Sequence, residues 1–172
     1  VYAGFATHTD EQVGYVIDAL EQLDVLDDTL IFYLLGDNGA SAEGGMDGTL
    51  NEYAAYNLVK EELSEMLGRI DEIGTHTTFN HYTAGWAHAM NTPYQWTKTC
   101  ASHWGGTRNG LVVHWPNGFK AKNEIRSQFV HVIDIAKTIL SVAGLPEPTM
   151  VNGTAQMPLH GVDFSATFDD SS

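Results

Sequence analysis

An aspartate and an asparagine, Asp37 and Asn38, follow directly after an unbroken apolar run and lie between two glycines. The run, residues 30–35, is too short for a free-standing buried helix and is bounded by turn-forming residues, which predicts a strand buried in a parallel sheet. Ligands of open α/β sheets bind outside the carboxyl ends of the strands, so the pair is a candidate site. The segment 36–39 is also good turn chemistry, and its four residues alone favour a simple turn. From these residues alone, both interpretations stay open.

Histidines are the other candidate ligands. Seven of the eight lie after residue 75, and three of them, His76, His81 and His88, fall in a polar, aromatic-rich stretch at 75–98. Their spacing matches neither a helical metal pair nor a zinc finger, so we interpret them as surface residues rather than as a zinc site. The stretch itself is predicted to be a long loop, and loops of that length in compact domains are often functional.

Helices and strands alternate along the chain. Apolar residues at helical spacing predict three helices, over residues 9–23, 59–70 and 132–143. Thr9 and Gln12 form a capping box that is expected to open the first helix. A second strand is predicted at 111–115. Because helix followed by strand is half of an α/β repeat, the sequence predicts an α/β fold.

Length and composition indicate a globular chain of limited size. With 172 residues and 43% hydrophobic composition, it suits one domain or a large part of one. Val1 is not a natural start residue, and the chain closes on a polar tail without a final element. We therefore expect residues 1–172 to form a single partial domain that is cut at both ends.

The charge distribution argues against nucleic acid as a partner. The net charge of −14 resides entirely in residues 1–75, with 16 acidic and 2 basic side chains, whereas residues 76–172 carry 6 of each. No apolar stretch has the length of a membrane span, and no leader pattern opens the chain, so we expect no membrane association. The single cysteine, Cys100, excludes an internal disulfide. A soluble protein of the bacterial cytoplasm or periplasm is favoured, while oligomeric state and compartment stay open.

Several segments, in this order and spacing, together resemble the type I sulfatases of the alkaline-phosphatase-like superfamily, and arylsulfatases most closely. They are Asp28-Thr29-Leu30-Ile31-Phe32 with Gly36-Asp37-Asn38-Gly39, Asn91-Thr92-Pro93 with Lys98, Gly105-Gly106-Thr107-Arg108 with Trp115-Pro116, and Val132-Ile133-Asp134-Ile135-Ala136 with Ala143-Gly144. The resemblance implies the α/β fold of that superfamily, a mixed and mostly parallel sheet flanked by helices. It also implies that this chain is the C-terminal part of a sulfatase catalytic domain.

The resemblance implies hydrolysis of small-molecule sulfate esters by a formylglycine nucleophile beside a calcium ion. Asp37 and Asn38 are then metal ligands, and their hard oxygens suit Ca²⁺ or Mg²⁺. Lys98 is then the catalytic cation that contacts the sulfate and stabilises developing charge. His103 is either a second substrate-binding residue or a support for the turn at Gly105, whereas we interpret Arg108 as a structural cation.

The nucleophile implied by the resemblance is not in this sequence. Cys100 lacks both the Pro or Ala two residues on and the Arg four residues on that a formylglycine motif requires. Formylglycine is therefore expected outside this chain, and the chain alone is expected to be inactive. Two oxygen ligands are also few for calcium, which takes 6 to 8. The alternatives are a phosphodiesterase or phosphonate hydrolase of the same superfamily and a non-catalytic α/β binding module.

Overall fold

The computed structural model describes residues 1–171, which contain both helices and strands and divide into two compact units. The presence of both helices and strands confirms the α/β class predicted from the sequence. The helices are α1 (Tyr2–Gln22), α2 (Glu52–Tyr56), α3 (Leu63–Gly68), α4 (Ala84–Asn91), α5 (Trp104–Thr107) and α6 (Asp134–Val142). The strands are β1 (Ile31–Leu34), β2 (Leu111–His114), β3 (Met150–Val151) and β4 (Thr154–Ala155). Across the described residues, no helix combines the length and apolarity needed to cross a membrane.

The first unit, residues 1–25 and 31–114, is built around one strand pair. β1 and β2 lie where the sequence predicts strands, and they pair antiparallel, with Ile31 opposite His114 and Leu34 opposite Leu111. The expected parallel neighbour is not present in the described residues, and β1 is half-buried rather than covered on both faces. Burial alternates along β2, which is typical of antiparallel strands with one face toward solvent.

Helix α1 begins seven residues earlier than the sequence predicts. Thr9 lies inside it, and its hydroxyl donates to the carbonyl of Phe5 at 3.0 Å instead of capping the helix. The predicted capping box is therefore wrong. No residue of α1 is buried, but the ring of Tyr2 packs 4.9 Å from that of Tyr82 and 4.7 Å from that of Trp86, which fixes the start of the helix.

The helix predicted over 59–70 is interrupted, because its first residues serve other contacts. Leu58 has a left-handed backbone with φ +59°, and the Glu61 carboxylate accepts a hydrogen bond from the Leu50 amide at 3.0 Å. Only α3 remains of the predicted helix, followed by a 3₁₀ turn at Ile70–Glu72. Conversely, the predicted loop at 75–98 contains α4, whose Ala87 is fully buried.

The second unit, residues 26–30 and 115–171, is organised by α6, which confirms the third predicted helix. Its N-terminal Asp134 is 5% exposed and accepts hydrogen bonds from the amides of His131 and Val162. Gly144, at φ +65°, follows the end of the helix. A short hairpin of β3 and β4 and a 3₁₀ helix, Ser165–Phe168, complete the unit. The single partial domain expected from the sequence stays a prediction.

Candidate active site

Asp37 and Asn38 lie in a turn directly after β1, as the sequence predicts. Glycines flank the pair at Gly36 and Gly39, with φ of +93° and +80°, and this left-handed backbone is unfavourable for residues with a side chain. A Cβ atom at Gly39 would lie 2.2 Å from the carbonyl oxygen of Gly105. Gly39 thus allows the turn to approach the backbone at residues 105–106 closely.

Hydrogen bonds from backbone amides connect this turn to residues 91–109, the part of the chain that contains Lys98. The amide of Gly39 donates to Asn109 Oδ1 at 2.9 Å, and that of Ala40 donates to Asn91 Oδ1 at 3.1 Å. The Lys98 amide in turn donates to the carbonyl of Ala40 at 2.9 Å. The structure therefore brings the backbone of Lys98 to Ala40, which is only two positions after Asn38. Lys98 and Asn38 are sixty residues apart in sequence (98 − 38).

The Lys98 side chain lines an open pocket of about 220 Å³, together with Ser41, Ala42, Glu43, Thr97 and Thr99. Its Nζ lies 3.4 Å from Glu43 Oε2. The Ser41 hydroxyl donates to the same carboxylate oxygen at 2.6 Å, and His81 Nε2 lies 3.0 Å from Ser41 Oγ. Four side chains from three parts of the chain thus form one continuous polar network.

Glu43 is the anionic centre of this network. The Ser41 hydrogen bond, assisted by the charge and hydrogen bond of Lys98, holds the pKa of the Glu43 carboxyl below its usual range. Near it, a hydrogen bond to Glu52 raises the pKa of Tyr56 to about 12. Glu43 therefore carries its full negative charge at neutral pH, directly beside the Lys98 ammonium.

The chemistry of Asp37 and Asn38 fits the metal that the resemblance implies. Both side chains are exposed, and within residues 1–171 neither forms a hydrogen bond or an ion pair, so their oxygens are available as ligands. A carboxylate and an amide carbonyl are donors that Ca²⁺ and Mg²⁺ prefer. Two residues supply only part of such a shell, and further oxygens must come from elsewhere.

A second group of metal-binding atoms occurs around His81. One ligand atom each from Glu43, Glu52 and His81 lies within 4.8 Å of the others. One oxygen of each carboxylate is already engaged, however: Glu43 Oε2 accepts from Ser41 and Lys98, and Glu52 Oε1 accepts from the Tyr56 hydroxyl at 3.0 Å. We therefore assign the cluster to the polar network rather than to a cation.

Of the predicted site residues, only Lys98 lines this pocket, and Asp37, Asn38 and His103 lie outside its lining. His103 precedes α5, with Nδ1 2.9 Å from Ser102 Oγ and its ring centre 5.6 Å from that of Trp96. The Arg108 guanidinium stacks over the ring of Trp104, 5.1 Å from its centre, which supports its interpretation as a structural cation. Cys100 is partly buried, as expected for a packed thiol.

Sequence reasoning missed Ser41, Glu43 and His81. Ser41 and Glu43 lie in residues 40–51, a small and glycine-rich stretch that predicts only a surface loop, and His81 is interpreted from its spacing as a surface residue. One signal was present, because Glu43 is an acidic residue only five positions after the candidate ligand Asn38. Nothing in the sequence, however, indicated that this carboxylate meets Lys98.

Comparison with known proteins identifies the family. A model of the sulfatase family matches residues 1–145, which include Asp37, Asn38, Lys98 and His103. The chain belongs to the sulfatase family. The resemblance predicted from the sequence segments is thereby confirmed, while the roles of the individual residues in this sulfatase chain stay predictions.

Two relatives illustrate the extent of the match. An uncharacterized sulfatase of Schizosaccharomyces pombe is 30% identical over 148 residues, which cover 86% of this sulfatase chain and 25% of that protein. An arylsulfatase of Klebsiella aerogenes is 26% identical over 166 residues, which cover 96% of this chain and 34% of that protein. The chain thus spans about a quarter to a third of the length of these relatives.

Proposed function

We propose that this sulfatase chain is the C-terminal part of a larger enzyme that hydrolyses sulfate esters of small molecules, within an alkaline-phosphatase-like sheet. The observation that carries the proposal is the hydrogen bond from the Lys98 amide to Ala40, which attaches a cationic residue to the turn of Asp37 and Asn38. A metal ion held by oxygen ligands, together with an ammonium, would suit the anionic sulfuryl group of a sulfate ester. The name of the Klebsiella relative supports an aryl sulfate as the first substrate to test.

Asp37 and Asn38 would hold a calcium or magnesium ion, whose charge polarises a sulfate when it is bound. The Lys98 ammonium would donate hydrogen bonds to sulfate oxygens and stabilise the negative charge that develops on the leaving oxygen. The partial burial of the lysine, with 35% of its side chain exposed, strengthens such an interaction relative to one in open solvent. The formylglycine nucleophile would lie outside this chain.

The test begins with the full-length coding sequence, expressed together with a formylglycine-generating enzyme. An aryl sulfate and an aryl phosphate diester are assayed side by side, before and after calcium removal. We expect sulfate hydrolysis that is lost with the metal and restored by adding it. Preference for the diester would favour a phosphodiesterase, and inactivity despite an intact nucleophile motif would favour a binding module.

A matched pair of variants tests the ligand assignment. Asp37→Asn keeps the size of the side chain but removes the charge, so calcium affinity and metal-dependent turnover should both fall by at least roughly 10-fold. Asp47→Asn makes the same change at an exposed aspartate outside the turn and should leave both unchanged. Calcium binding is measured by titration calorimetry. Equal calcium affinity in the two variants would contradict the assignment of Asp37.

A further inference from the structure

The cation that we assign to sulfate binding already has an anionic partner within the chain. Lys98 Nζ lies 3.4 Å from Glu43 Oε2, and both side chains are about one-third exposed. An incoming sulfate therefore does not meet a free ammonium. It must share the ammonium with a carboxylate in the same pocket.

Glu43 is held in place independently of Lys98. The Ser41 hydroxyl donates to it at 2.6 Å, while the Ser41 amide donates to the Tyr82 hydroxyl at 2.9 Å. The next residue, Gly44, lies so close to the chain that a Cβ there would be 2.1 Å from the carbonyl oxygen of Tyr82. The carboxylate is therefore anchored on the 81–82 segment and does not depend on the lysine for its position.

From this geometry we propose that Glu43 is a positioning residue for Lys98 and limits the affinity of the pocket for sulfate. The proposal rests on the proposed function, because it takes Lys98 as the sulfate-contacting cation. Before an anion arrives, Glu43 keeps the ammonium at the pocket. Once sulfate is bound, the fixed carboxylate repels it and so favours release of the product.

Removal of the negative charge of Glu43 should strengthen sulfate binding, whereas most substitutions in a binding pocket weaken it. Glu43→Gln retains the size and the acceptor oxygen for Ser41 but loses the negative charge. We expect inorganic sulfate to bind at least about fivefold more tightly to this variant, because the repulsion between sulfate and the Glu43 charge is removed. The estimate takes one unit charge at contact distance in a largely aqueous site. Damage to the site would instead weaken binding, so the direction of the change separates positioning from a merely structural role.

Glu52→Gln is the matched control. It removes the same charge from a glutamate whose carboxylate lies near that of Glu43 but forms no ion pair with Lys98 within the described residues. Its gain in sulfate affinity should be smaller than that of Glu43→Gln, because repulsion falls with distance and Glu52 lies outside the pocket lining. Lys98→Ala should weaken sulfate binding, opposite in sign to Glu43→Gln.

The experiment measures the Kd of inorganic sulfate by titration calorimetry on the full-length protein, with its inhibition constant and the KM and kcat for an aryl sulfate. Tighter sulfate binding and a lower KM in Glu43→Gln than in Glu52→Gln would support the proposal. An unchanged or weaker affinity, or an equal gain in Glu52→Gln, would overturn it. Failure of the proposed function can be told apart from failure of this proposal. In the first case the parent protein would hydrolyse no sulfate ester, whereas calorimetry would still report the effect of Glu43 on sulfate binding.

Discussion

Asp134 offers the clearest stability prediction, since one buried carboxylate joins two segments of the second unit. Its Oδ2 accepts from the His131 amide at 2.7 Å and its Oδ1 from the Val162 amide at 2.8 Å, at 5% exposure. In Asp134→Asn one oxygen becomes an NH₂ group, which cannot accept. One of the two backbone amides then loses its acceptor, whichever way the asparagine side chain is turned.

The magnitude follows from these two bonds. A hydrogen bond to a charged group contributes about 1.5–3 kcal/mol, and the bond that survives becomes a neutral one of about 1 kcal/mol. The variant should therefore lose about 2–5 kcal/mol of unfolding free energy. For a chain of this length, that corresponds to a fall in Tm of roughly 4–20 °C.

Asp169→Asn is the matched control, because Asp169 uses a single oxygen, Oδ1, to accept from the amides of Lys120 and Ala121. It is exposed, and an asparagine keeps that oxygen, so the loss should stay below about 1 kcal/mol. Urea unfolding followed by circular dichroism measures both variants. If Asp134→Asn lowers the free energy of unfolding by no more than Asp169→Asn does, the assignment of a stabilising role to the buried carboxylate of Asp134 is wrong.

Three further predictions concern the first unit. Lys98→Ala should lower kcat of the full-length enzyme by about 10²-fold, the scale of one lost electrostatic donor, and a loss of only a few-fold would exclude that role. Gly39→Ala should disrupt the turn and lower calcium affinity, because the added Cβ would lie 2.2 Å from a carbonyl oxygen. Gly45→Ala is the control for backbone strain alone, because Gly45 has φ +65° but a Cβ there would have no neighbouring atom within 4 Å. Hydrogen bonding to Arg69 lowers the pKa of Glu72 to about 2, so Glu72→Gln should lower Tm slightly at pH 7. The difference in Tm between the variant and the parent should vanish as pH falls from about 4.5 to 2, because the parent carboxylate becomes protonated. A difference in Tm that stays constant over this pH range would contradict the prediction.

The segments that the sequence predicts best are those whose own side chains determine their structure. β1, β2 and α6 lie within one or two residues of their predicted bounds, because apolar periodicity and the turn residues that follow them act locally. The family resemblance likewise depends on residue identities, and it needed no coordinates to be confirmed.

The errors arise where contacts distant in sequence override local preference. α1 starts early where Tyr2 packs on Tyr82 and Trp86, and the predicted second helix is interrupted where Glu61 bonds to Leu50. Neither contact leaves a periodic pattern that could be recognised beforehand. The pairing of β1 with β2 is similarly a tertiary choice, since an apolar run alone does not specify the direction of its neighbour.

The candidate site combines both cases. Residue type identifies Asp37, Asn38 and Lys98, whereas the attachment of their segments to each other depends on the backbone bond between Lys98 and Ala40 and on the absence of a side chain at Gly39. Because these attachments are made by the main chain, replacing any of the three functional side chains leaves the attachments intact. Glu43 differs, since it meets Lys98 through its side chain. Its substitution should therefore change how the lysine interacts with an anion while the turn that presents Asp37 and Asn38 stays in place.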